Sequence, residues 1–239
     1  MAKIHGKDAK VFLSGVDISG DLNTVHPKLE TELKPYATFG VSGYKQFPGI
    51  GVDTVSFDAL FDTDSSTARY IANSIRGATA VSTQGMIITF ASTVGGEAMA
   101  TGVVQLKTYQ ITDVVTDITR FTAEFVTENY PFDGCRLLTT GLQTVIANGQ
   151  GTAIDNTIST NAGGAAYLQV MNVSTATFAA SLQTSPDNLT WTTTGTFATV
   201  SAGFTYTERL SFASTIDKYV RAAWLTTSTA TFAIAFGRY

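Results

Sequence analysis

The sequence predicts a mainly β protein: an N-terminal β-sandwich or barrel with one flanking α-helix, then a C-terminal β-sandwich of immunoglobulin-like or jelly-roll-like kind. Three observations carry that expectation. Short runs of alternating apolar and polar residues recur along the chain, the period-2 pattern of strands with one buried face. Gly, Pro, Asn and Asp separate these runs at short intervals. Hydrophobic residues make up 44% of the 239 residues and charged ones only 14%, so the chain can bury a large core.

The elements follow in order. Residues 9–13 (AKVFL) lead through Ser14-Gly15 into Val16-Asp17-Ile18-Ser19, a hairpin-like start. Val55, Phe57, Ala59 and Phe61 alternate with polar neighbours, and further strands are expected at 84–92, 98–107, 108–115 and 117–127. In the last of these Phe121, Ala123 and Phe125 share one face and Arg120, Thr122 and Glu124 the other, as in a sheet wetted on one side. One helix of about three turns is expected over 65–76. Asp64 or Ser65 would cap it, Ala68, Ile71, Ala72 and Ile75 stand at helical spacing, and Gly77 would stop it.

Residues 28–51 fit neither period and are expected to be a long segment without secondary structure of its own. The segment carries Tyr36, Phe39, Tyr44 and Phe47, with Pro48 beside the last. Long loops of this kind are functional or disordered, and so many aromatics argue for burial. The inference is an arm that packs against another subunit.

Charge divides unevenly. Residues 1–140 hold 11 basic and 15 acidic side chains, whereas 141–239 hold four of each and are rich in Thr, Ser and Ala. That shift, with Thr139-Thr140-Gly141 and Asn148-Gly149-Gln150-Gly151 around it, suggests domains at 1–138 and 151–239 joined by a linker at 139–150. Strands are expected at 165–173, 176–184, 190–200, 203–212, 217–225 and 230–237, with Ser185-Pro186-Asp187-Asn188 as a turn. Such spacing suits a sandwich of about a hundred residues.

Chemical sites are scarce. A net charge of −4 argues against a free-standing nucleic-acid binder. No run of apolar residues is long enough to span a membrane, and the start resembles no leader peptide, which points to cytosolic folding. The single Cys135 reads as an inert thiol near a strand end. His5 and His26 assemble no catalytic triad. Asp62, Asp64 and Ser66 resemble a calcium loop only until Thr67 and Asn73 fall where Gly and Glu are needed. Gly49-Ile50-Gly51 is a fragment of a phosphate loop. Glu30, Glu32 and Asp53 read as solvated acids, and Asn172 and Asn188 as chance glycosylation matches. Neither catalytic residue, metal site nor cofactor is expected. Trp224 alternates with core positions, which leaves Trp191 as a candidate for stacking a glycan ring.

The run LETELKPYATFGVSGYKQFPGIGVDTVSFDALFDTD, residues 29–64, resembles the major tail (tail tube) proteins of long-tailed bacteriophages. The likeness rests on the opening hairpin KVFLSGVDISGDL, on Thr38-Phe39-Gly40 and Phe47-Pro48-Gly49 in the arm, and on Phe61-Asp62 before the helix. It covers roughly residues 5–130. SPDNLTW (185–191) and YVRAAWL (219–225) resemble more loosely the β-sandwich decoration domains appended to virion proteins.

The resemblance implies hexameric rings stacked into a tube that conducts DNA, arms reaching a neighbouring subunit, and a second domain on the outside. A wall that lets DNA slide must not be basic, so Asp113, Asp117 and Glu124 are candidates to face the lumen. Implied partners are further copies of the chain, a tape measure protein, a tail terminator and baseplate or tip proteins. Host surface glycans are a further candidate, with no membrane insertion; the implied location is the virion tail, assembled in the bacterial cytoplasm. The alternatives are a carbohydrate-binding or adhesin module, and a single-ring tail terminator or baseplate protein.

Overall fold

A computed structural model describes residues 8–36, 45–62, 67–76, 84–113 and 118–239. In chain order the first half carries β1 (Lys10–Leu13), β2 (Val16–Asp17), β3 (Leu22–Lys28), β4 (Thr31–Tyr36), β5 (Lys45–Gly51), β6 (Thr54–Leu60), α1 (Ala68–Ile75), β7 (Met86–Thr89), β8 (Glu97–Thr101), β9 (Val104–Thr112), β10 (Arg120–Thr127) and β11 (Asp133–Leu137). The second half carries β12 (Gln143–Val145), β13 (Gly149–Gln150), β14 (Ile154–Asp155), β15 (Gly164–Val173), β16 (Thr177–Ser185), β17 (Thr192–Thr196), β18 (Val200–Ser201), β19 (Tyr206–Phe212), β20 (Tyr219–Thr226) and β21 (Ala230–Arg238). The mainly β expectation holds, with one short helix among the described residues.

One sheet spans both halves. Its order is β19-β15-β21-β11-β8-β7-β1-β2, with β12 also on β21. A four-stranded sheet, β3-β6-β10-β9, covers the β1–β7 end, and a six-stranded sheet built on β13, β14, β20, β16, β17 and β18 covers the β15–β21 end. Alternation does the sorting. On the outer face of the shared sheet, Val11, Leu13, Met86 and Ile88 join Phe57, Phe121 and Phe125 in one core, with Ile71 and Ile75 of the helix. On the same face further along, Leu168, Val170, Phe232 and Ile234 join Phe178, Leu182 and Trp224 in a second core.

The opposite face buries a third cluster made chiefly of small residues: Ala98, Ala100, Ala165, Ala233 and Ala235, with Phe12, Ile87 and Tyr167. No other sheet contributes to this cluster. The shared sheet curls around its own inner face until its two ends meet. There the Gly15 amide donates to Gln169 Oε1 at 2.7 Å and the Gly85 amide to Thr207 Oγ1 at 3.1 Å. Gly15 sits at φ +77°, and a Cβ there would lie 2.7 Å from the Val170 carbonyl oxygen. Only glycine satisfies both the turn and that approach.

Four expectations are corrected. The helix is two turns, not three. Thr67 precedes it without a side-chain cap, and Asp21 Oδ2 from the β2–β3 turn accepts the Ala68 amide at 2.7 Å instead; Asp64, Ser65 and Gly77 lie outside the described residues. The expected break at 107/108 is a β-bulge inside β9, where Lys107 is the extra residue and the alternation slips by one. The expected strand at 190–200 is interrupted between β17 and β18. Residues 139–150, expected as a linker, carry β12 and β13, which pair with β21 and β20.

Candidate functional site

The arm is the first surface to consider. Against the expectation that residues 28–51 lack secondary structure, β4 and β5 pair antiparallel, with Thr31 opposite Gly51, Leu33 opposite Pro48 and Tyr36 opposite Lys45; residues 37–44 lie outside the described residues. Pro35, Pro48 and two glycines read as strand breakers, yet a two-stranded ribbon has only edges, where proline is tolerated. Neither strand pairs with any other described strand. Of the expected arm residues, Tyr36, Phe47 and Pro48 lie in the hairpin, while Phe39 and Tyr44 lie outside the described residues.

The hairpin is tied at its base by a residue the sequence reading assigned to solvent. Asp53 is only 4% exposed. Its Oδ1 accepts the Glu30 amide at 3.1 Å, its Oδ2 accepts the Phe132 amide at 2.8 Å, and its carbonyl accepts the Thr127 amide at 3.0 Å. A carboxylate taking backbone donors from both flanks is a fixed anchor. The missed signal is its place at the corner between two strands.

The second surface is the wetted face of the four-stranded sheet. Phe121, Ala123 and Phe125 point to the core, and Arg120, Thr122 and Glu124 point away, as expected. His26 and Ser56 are register partners on the same face. Charges alternate there: Glu124 Oε1 meets Lys107 Nζ at 3.0 Å, and Arg120 Nη1 lies 3.8 Å from Asp58 Oδ2. Exposed pairs of this kind add little stability; they leave the face mixed in sign. Asp113 stands just past the end of β9, accepting from Thr119 Oγ1 at 2.8 Å, and is separate from Glu124. Asp117 lies outside the described residues.

A third feature was not foreseen. Where the shared sheet closes, Asp133 Oδ2 accepts from the Tyr167 hydroxyl, and from the Tyr239 hydroxyl at 2.8 Å. Arg209 Nη2 lies 3.6 Å from the same oxygen, its Nε donates to Tyr167 Oη at 3.0 Å, and its guanidinium stacks 3.8 Å above the Tyr130 ring. Burial, followed by the Asp133 carboxylate, pushes the Tyr167 hydroxyl well above its ordinary value. Residues up to 109 positions apart in the chain, from Tyr130 to Tyr239, build this clasp, which no local pattern announces.

The remaining candidates are positioned as follows. Trp224 is buried against Phe232 and donates its indole N–H to the Ala147 carbonyl at 3.2 Å. Arg221 stacks 3.9 Å from the Trp191 ring centre, so one face of the proposed sugar platform is already covered. Cys135 is buried, and desolvation raises its thiol far out of the reactive range. Asp187 accepts from the Thr190 and Leu189 amides, which hold its carboxyl at about 2. No cluster of metal-ligating side chains occurs among the described residues.

No protein family and no curated protein matches this sequence. Similar solved structures include a subunit from the tail of an empty gene transfer agent particle with sixfold symmetry, at 12% identity and TM-score 0.42, over 54% of this chain and 97% of that one. The SPP1 tail tube is similar at 10% identity and TM-score 0.44, over 55% of this chain and 80% of the other. The SPP1 Dit protein, of the hub adsorption apparatus in phages infecting Gram-positive bacteria, is similar at 12% identity and TM-score 0.39, over 97% of this chain and 99% of its own. Likenesses of this size carry no argument about function.

Proposed function

We propose that this chain is a structural protein of a phage-type tail that assembles with copies of itself into rings, and that stacked rings form a tube conducting DNA. The observation that carries the reading is the β4–β5 hairpin: an ordered ribbon, anchored by Asp53, whose outer edges pair with no described strand. The wetted sheet face adds support. Its mixed charge, with Glu124 and Asp58 offset by Lys107 and Arg120, gives phosphate no basic bed to settle on. Six subunits per ring, a tape measure protein, a terminator and a baseplate as partners, and assembly in a bacterial cytoplasm belong to the same proposal. So does the division at 1–138 and 151–239, now as two packing units that share a sheet.

A second reading, a single ring at the tail end, is favoured by that shared sheet. The C-terminal half is built into the same wall as the N-terminal half and is not hung from a tether. Negative-stain electron microscopy of the purified chain over a concentration series separates the two. Tubes of uniform width support the conduit, and rings that never stack support the end-piece. Deleting 36–50 is expected to leave a folded monomer; if the deleted protein still assembles, the arm has no part in assembly. Glycan binding through Trp191 would survive as a reading only if sugar arrays capture the protein and Trp191→Ala abolishes capture.

A further inference from the structure

Between the two stacked sandwiches, part of the outer face of the shared sheet is left uncovered by either outer sheet. It forms a groove of roughly 480 Å³ whose lining includes Gly134, Met99 and Phe90 from the first half and Phe236, Ile154 and Val220 from the second. That size suits a small ligand or a few side chains of a partner. Gly134 makes the hollow: a Cβ there would meet nothing within 4 Å.

The groove is short of acceptors. Arg136 and Arg238 line it, and Glu97 is its one carboxylate. Glu97 and Arg136 are register partners across β8 and β11, but among the described residues Arg136 has no ion pair. Arg238 has only the Asn156 carbonyl oxygen, 3.3 Å from its Nη1. Asn156 also lines the groove. Apolar walls with two guanidinium groups that have no carboxylate partner among the described residues fit an occupant that is both acidic and apolar.

The same chain carries such a surface elsewhere. The described flanks of the β9–β10 connection hold Ile111 and Ile118, 48% and 62% exposed, beside the exposed carboxylate of Asp113. Large apolar side chains left exposed at the end of a sheet mark a contact surface. We propose that the groove between the sandwiches receives Ile111, Asp113 and Ile118 of a second copy, the described residues flanking its β9–β10 connection, with Asp113 set against Arg136 and Arg238 and the two isoleucines against the Met99 and Phe236 walls. Groove and tip are different patches, so the contact is head-to-tail, the kind that closes into a ring when the rotation allows. This deepens the ring reading by naming the surfaces that meet, and it puts Asp113 at the seam between subunits, at the rim of the wetted face.

Sedimentation velocity on the full chain tests it. Arg136→Glu with Arg238→Glu, Asp113→Lys, and Gly134→Leu as a filler are each expected to weaken self-association about tenfold or more. Circular dichroism should stay unchanged. Mixing the Arg136→Glu/Arg238→Glu protein with the Asp113→Lys protein is expected to restore association, which misfolding could not do. If the wild type forms rings and all variants form them equally, the contact is overturned and the ring reading stands. If the wild type forms only open chains or dimers that the variants dissolve, the ring reading falls and the contact stands. A wild type that remains monomeric at the highest soluble concentration overturns both.

Discussion

The two halves of this chain differ in chemistry and yet share one wall. The first is charged, carries the helix and the hairpin arm, and builds its core from phenylalanines of β6 and β10 packed on β1 and β7. The second is poor in charge and rich in Thr, and it builds its core from β15, β21, β16 and β20. Composition therefore marks a boundary near residue 140 while the hydrogen-bond ladder crosses it, from β8 through β11 to β21. Composition reports what each outer sheet presents to solvent; it says nothing about which strands share a ladder.

The sharpest way to break this comparison is to separate the halves. The loose-appendage reading expects that removing 145–239 leaves assembly intact. The shared sheet argues for the opposite outcome, because the truncation strips β15, β19 and β21 and lays open Phe12, Ile87 and Cys135. Aggregated or unfolded protein is expected, read by circular dichroism and gel filtration; a soluble, cooperatively folded fragment would show that the halves are independent.

A smaller perturbation targets the closure. Gly15→Ala forces an L-residue to φ +77° and drives its Cβ against the Val170 carbonyl. The expected cost is about 2 kcal/mol or more, measured as a lower urea midpoint with both halves unfolding together. Loss confined to one half would mean that the closing contacts are incidental.

The smallest effect is a pH dependence. The Tyr167 hydroxyl is held protonated in the folded protein, whereas in the unfolded chain it ionises near its ordinary 10.0. Its contribution is full below that value and is lost as pH rises above it, because the unfolded state then binds fewer protons. Stability is expected to fall above pH 10, and less steeply in Tyr167→Phe. The slope should not vanish in the variant, since Tyr109, Tyr206 and Tyr239 are shifted upward as well. An unchanged slope would remove Tyr167 from the clasp.

What could be read from the sequence was local. Alternation placed Phe121, Ala123 and Phe125 inward, Trp224 in the core and the main C-terminal strands within a few residues, because burial on one face imposes a period of two. What could not be read was long-range. Asp53 looked like any surface acid, since its three backbone donors come from residues 23 to 79 positions away. The inner Ala-rich face looked like weak strand pattern, although small residues are what allow a sheet to fold on itself. The arm misled because it keeps neither period, and the Arg209 clasp had no local signature at all.

One sulfur atom records the consequence of that curled sheet. Cys135 is the chain's single cysteine and lies inside the closed face beside Tyr167 and Ala235. A thiol reagent can reach it only when the enclosure parts. The speed at which that one thiol reacts is thus a built-in clock for how often the subunit opens, and the clock should slow if neighbouring copies clamp the two sandwiches together.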